Sequence, residues 1–171
     1  LSGHDDVLIY CAGFEDRCMG LINTFSSYSF SKAFLIKYEK GIIQTPSADK
    51  NELQISQKLQ KMGEVEEITV NPLNPILGIT KIFKKISNMN LKSCKISMDI
   101  SVMSKFLLLI MLRSIAEYNL MNNLKIFYTT PLDYEIDFSK LAYGAGKIDV
   151  IPTFEGQHNP RSESTLLILL G

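Results

Sequence analysis

Hydrophobic positions along this chain switch between two spacings. Short apolar runs, "DVLIYC" at residues 6–11, "KAFLIKY" at 32–38, "VEEITV" at 65–70, "CKISMDI" at 94–100 and "LKIFYT" at 124–129, predict five strands. Between them the spacing lengthens to that of a helix face. A helix is predicted from about residue 16 to 26, and a second over 50–62, where Leu53, Ile55, Leu59 and Met62 recur until Gly63 stops them. After the turn residues Asn71, Pro72, Asn74 and Pro75, "ILGITKIFKKI" places Ile79, Ile82, Phe83 and Ile86 on one side. A long, mostly buried helix, "VMSKFLLLIMLRSIAEYNLM", precedes the fifth strand.

Strands that alternate with helices through right-handed crossovers build a parallel sheet with helices on both faces. The expected fold class is therefore α/β: a Rossmann-like three-layer sandwich, mainly parallel, with strand order 3-2-1-4-5. Ligands of such sheets bind outside the carboxyl ends of the strands, where the order reverses. Here that crevice is expected between the first and fourth strands. Residues 1–150 form the Rossmann-like domain in this reading. Residues 131–149 show no clean period, and Gly144 and Gly146 suggest a connector. Residues 151–171 are read as a further connector ending in "TLLILLG", which resembles "VLIYCAG" of the first strand. That repeat is expected to be either the first strand of a truncated second similar unit or an extra strand of the same sheet.

Composition narrows the function classes. At 171 residues, with 46% hydrophobic and 21% charged residues, the chain can bury a real core. Eighteen Lys+Arg balance eighteen Asp+Glu, so no global field draws in DNA or an anionic membrane, and any anion site must be local. Direct DNA binding is not expected, and Lys81, Lys84 and Lys85 read as a solvated helix face. The longest apolar stretch, residues 106–112, is far short of the roughly 20 residues that span a bilayer, and secretion is not expected from the first residues, which show no basic segment followed by an apolar one. Cys11, Cys18 and Cys94 lack metal-ligand spacing, which predicts reduced thiols, a cytoplasmic setting and no metal.

Two turns carry the candidate chemistry. In "CAGFEDR", Gly13 allows close backbone approach, Phe14 can stack on a ligand, and Glu15 and Asp16 suit the start of a helix. Arg17 opposes the dipole there, which a neighbouring anion or carboxylate would explain. In "MDISVMSK", Asp99 ends the fourth strand, Ser101 is expected to cap the next helix, and Ser104 and Lys105 fall in its first turn. Two helix starts with misplaced cations at one switch point predict a phosphate or carboxylate pocket. The competing expectation is structural pairing, Asp99 with Arg17 or Glu15 with Lys105, with no ligand involved. After the fifth strand, Tyr128, Thr129, Thr130 and Tyr134 offer hydroxyls to a base or sugar, or else simply form a strand exit. The single Gly13 matches neither G-x-G-x-x-G nor a Walker loop, so no dinucleotide, triphosphate or other cofactor is expected through a Gly-rich turn. His4 and His158 give no support to a nucleophilic triad.

The stretch "MDISVMSKFLLLIML" resembles the fourth-strand segment of CRISPR-associated Rossmann-fold (CARF-like) sensor domains: an Asp, an aliphatic residue and a Ser or Thr leave a strand, and a Ser or Thr and a cation open a helix. By position, Asp99, Ser101, Ser104 and Lys105 match that motif, and Gly13 to Arg17 match the first turn. The resemblance implies a cyclic oligonucleotide ligand and a homodimer. Val102 and Met103 depart from the small residue often found in mid-motif, and the acidic pair departs from a polyanion site. The chain also resembles uncharacterised Rossmann-like proteins of bacterial conflict systems. The expected function is a ligand-sensing domain for a nucleotide or other phosphorylated small molecule. The alternative is an enzyme acting on a nucleoside or nucleotide through Glu15, Asp16 and Asp99.

Overall fold

A computed structural model describes residues 1–39, 46–91, 93–131 and 150–154. All but Pro131 of the predicted connector over residues 131–149, and the repeat at 165–171, lie outside the described residues. Within them, five strands form one parallel sheet in the order β3-β2-β1-β4-β5: β1 (Ser2–Cys11), β2 (Ser27–Tyr38), β3 (Glu64–Val70), β4 (Ile96–Asp99) and β5 (Leu124–Phe127). The expected strand order and fold class are those of the structure. The connecting helices are α1 (Gly20–Asn23), α2 (Pro46–Gln60), α3 (Ile76–Ile86) and α4 (Lys105–Glu117).

Successive side chains of a strand point to opposite faces, and here both faces are covered. Val7, Ile9 and Cys11 of β1 enter one core with Phe34 and Ile36 of β2, beneath Ile79, Ile82 and Phe83 of α3 and Leu107, Ile110 and Met111 of α4. Leu8 and Tyr10 enter the opposite core with Ala33 and Leu35, covered by Leu21 and Ile22 of α1 and by Ile55 and Leu59 of α2. α1 and α2 thus lie on one side and α3 and α4 on the other. The switch falls at the β1–β4 boundary, where Val7 aligns with Ile96 and Ile9 with Met98.

Three local expectations change. The helix predicted from about residue 16 to 26 is a 3-10 turn, Asp16–Met19, followed by the single-turn α1. A Cβ built on Gly20 would sit 2.3 Å from Thr129 Cγ2, so this segment packs closely on the β5 exit and needs glycine there. Ser101 does not cap the long helix. Ser104 does, its hydroxyl accepting from the Leu107 N–H at 3.2 Å, while Ser101 is drawn inward to Asp99 and Thr129. The same helix ends earlier than predicted, at Glu117, where Asn119 adopts a left-handed φ of 56°.

Candidate functional site

The turn after β1 and the turn after β4 meet. A Cβ on Gly13 would lie 3.1 Å from Val102 Cγ2, tighter than most ordinary contacts, so glycine leaves room for the Val102 side chain against the β1 turn. Gly13 is held from the other side as well: its carbonyl accepts from Asn51 Nδ2 of α2 at 3.2 Å. Val102 packs against the cores on both faces of the sheet. The open volume is displaced toward β2, as a cavity of about 240 Å³ at the carboxyl ends of the strands.

Its walls come from five places in the chain. Ala12, Gly13, Phe14, Glu15 and Arg17 follow β1; Tyr38 ends β2; Ala48, Asp49 and Glu52 belong to the first turns of α2; Pro72 follows β3; and Val102, Met103 and Ser104 lead into α4. Phe14 is 47% exposed and presents an uncovered ring at this mouth. Tyr38 joins the two halves, since its hydroxyl accepts from the Ser104 N–H at 2.8 Å. Burial, with Cys11 beside it, holds the phenol well above its ordinary pKa, so Tyr38 is a neutral hydroxyl.

Arg17 is the cation among the described residues lining the cavity, and a carboxylate already holds it. Its Nε lies 2.7 Å from Glu15 Oε2 and its Nη2 donates to Glu15 Oε1 at 3.0 Å. Its other nitrogen, Nη1, donates to the Tyr128 hydroxyl at 3.2 Å, with the guanidinium 5.9 Å from that ring's centre. Neither pairing expected from the sequence forms the link: Glu15, two residues away in the same turn, reaches Arg17 first. On the far side of Arg17 lies a second recess, bordered by Asp16, Gly20, Asn23, Thr129, Thr130 and Pro131 as well as Glu15.

The candidate residues therefore divide. Gly13, Phe14, Glu15, Arg17 and Ser104 line the cavity; Asp16, Thr129 and Thr130 line the second recess with Glu15 and Arg17; Lys105 is exposed and lines neither. Asp99 and Ser101 are buried beneath the turn. Asp99 Oδ1 accepts from the Ser101 N–H at 3.0 Å and from the Ser101 hydroxyl, whose oxygen in turn accepts from the Thr129 N–H at 2.8 Å. These bonds pin the β4 turn to the β5 exit. Asp99 Oδ2 has no hydrogen-bond partner among the described residues. Burial pushes the Asp99 carboxyl above its ordinary pKa, against the opposing pull of Ser101, Tyr10 and Arg17.

Tyr38, Asp49 and Glu52 were not among the residues expected from the sequence. Tyr38 could have been found as the last residue of a strand beside the switch point, whereas Asp49 and Glu52 look like any polar face of an amphipathic helix. The thiols contribute no nucleophile: burial raises all three, Cys11 to about 12. Among the described residues no group of His, Cys, Asp and Glu is arranged to hold a metal, and no helix is long and apolar enough to cross a membrane. Neither a protein-family model nor a curated protein matches the chain.

Proposed function

We propose that this domain senses a small ligand, a nucleotide or another phosphorylated molecule, bound in the cavity over the carboxyl ends of β1, β2 and β3. The observation that carries the proposal is the convergence at one cavity of a guanidinium, Arg17, with two aromatic rings, Phe14 and Tyr38. A planar base suits the rings, and a phosphate suits the guanidinium. An occupant would touch the β1 turn, the start of α2 and the lead into α4 together, so binding would stiffen segments that belong to both faces of the sheet. That coupling suits a sensor.

The three carboxylates on which the enzyme alternative depends do not all meet in one cavity. Glu15 and Asp16 line the second recess, Glu15 being paired with Arg17, and Asp99 lines neither space. Calorimetric titration with ribonucleotides, for the parent chain and for Arg17→Ala, tests the proposal. Binding that falls at least about tenfold in the variant is expected. Equal binding by parent and variant would contradict it.

A further inference from the structure

Tyr38 links two elements that β1 separates. In the register of the first two strands Cys11, the last residue of β1, aligns with Ile36, so β2 runs two residues further and ends at Tyr38. Alternation puts Tyr38 on the same face as Ile36, and its side chain packs against the core beneath α3 and α4. Because β1 lies between β2 and β4 in the sheet, the side chain passes the end of β1 to reach the residue before α4, where its hydroxyl accepts from the Ser104 N–H at 2.8 Å.

Ser104 is where α4 is anchored. Its hydroxyl accepts from the Leu107 N–H at 3.2 Å and its carbonyl from the Leu108 N–H at 2.9 Å, so the first turn of the helix is fixed twice to one residue. The helix then buries Leu107, Ile110, Met111 and Ile115 in the core. A small displacement of Ser104 is therefore felt in the packed face of α4. Tyr38 and Ser104 both line the cavity, whereas Leu107 and Leu108 do not.

We infer that Tyr38 is the residue through which occupancy of the cavity is passed to α4. The inference rests on the ligand-binding proposal above and adds to it the element that responds. The tie between Tyr38 and Ser104 is either made or open, and a ligand shifts that balance only by meeting one state better than the other. A neutral phenol that accepts from Ser104 still has a proton to give, and a phosphate or sugar oxygen that takes it makes the phenol oxygen a stronger acceptor. The made tie is then favoured, and the start of α4 is held more firmly. Tyr38 is a positioning residue in this scheme, because it acts on the helix through Ser104.

The test is an amide NMR titration of the parent chain and of Tyr38→Phe with each of the four ribonucleoside 5′-monophosphates, taken to the saturation that calorimetry defines. In the free chains the Ser104 amide proton should move upfield in the variant, which has lost its acceptor; an unmoved Ser104 overturns the tie. In the parent, bound nucleotide should shift Leu107 and Leu108 together with Phe14 and Arg17. In Tyr38→Phe, which keeps the ring, affinity should fall less than about tenfold, and at saturation Phe14 and Arg17 should still shift while the response at Leu107 and Leu108 is lost. Thermal melting checks that the variant is folded. A parent in which Phe14 and Arg17 move and Leu107 and Leu108 do not overturns the inference and leaves the ligand proposal standing, and that result needs no variant. Equal responses at Leu107 and Leu108 in both chains remove Tyr38 from the role. If no nucleotide binds the parent, the underlying proposal falls, and the inference with it.

Discussion

Asp5 and Asp99 are both buried in the same sheet, near its opposite ends, and the structure treats them differently. Asp5 of β1, toward the amino end, accepts from the Tyr28 hydroxyl at 2.7 Å, from the Ser97 hydroxyl, and from Lys125 Nζ at 3.2 Å, so β2, β4 and β5 each supply a donor to one carboxylate. Its burial, the largest single influence, would raise the pKa, yet Ser97, Tyr28 and Lys125 together bring it below the ordinary value. Asp99, at the carboxyl end, accepts through Oδ1 from Ser101 alone among the described residues, and there burial outweighs the pull of Ser101, Tyr10 and Arg17. A saturated carboxylate closes the amino end as a structural tie. The undersatisfied one supports the turn that leads from β4 toward the cavity.

The largest effect that sharpens this contrast is on stability. Asp5→Ala leaves the buried Ser97 and Tyr28 hydroxyls without their acceptor and should cost about 3–4 kcal/mol, read from urea unfolding. Asp99→Ala strands one buried N–H and one hydroxyl but also removes a poorly solvated carboxyl, and should cost about 1–2 kcal/mol. If the two losses are equal or reversed, the contrast is broken.

The pH dependence should differ in sign. Asp5 has a folded pKa below its unfolded value, so its contribution is present above the unfolded pKa and is lost as pH falls through the folded one. Asp99 has a folded pKa above its unfolded value, so the folded state binds the proton more tightly and stability declines as pH rises from the unfolded pKa through the folded one. Relative to the parent, Asp5→Asn should therefore look worse as pH rises through this range, and Asp99→Asn better. Unfolding curves collected from about pH 3 to 7 check both slopes.

Smaller effects separate structure from binding at the carboxyl end. Arg17→Ala removes a partly exposed ion pair and should change stability by no more than about 1 kcal/mol, although nucleotide binding falls. Lys105→Ala, at an exposed residue outside the cavity, should leave both stability and nucleotide affinity within about twofold of the parent. A strong loss of binding in the Lys105 variant would return that cation to the site.

What the chain's pattern discloses follows the burial of its side chains. The centres of the strands and the whole of α3 stand out because apolar residues recur there at the period of the element. The first four residues of β1 do not, because Ser2 to Asp5 pair with Ser27 to Phe30 through the backbone while several of their side chains stay in solvent. Ser101 and Ser104 are equally good caps by residue type. Asp99 and the Thr129 N–H decide between them, and only the folded sheet brings Thr129 near. The β1 turn was legible from Gly13 to Arg17, because charge after a buried strand needs an explanation. The opposite wall was not: Tyr38, Asp49 and Glu52 join it through tertiary packing alone.

The most direct measurement is an amide chemical-shift titration of the isotopically labelled chain with ribonucleoside monophosphates. Saturable shifts are predicted at Gly13, Phe14, Arg17, Tyr38 and Ser104, with Asp5, Ser97 and Lys125 at the other end of the sheet unmoved. Shifts confined to the amino end, or none at the five cavity residues at saturating nucleotide, would contradict the assignment of the ligand to this cavity.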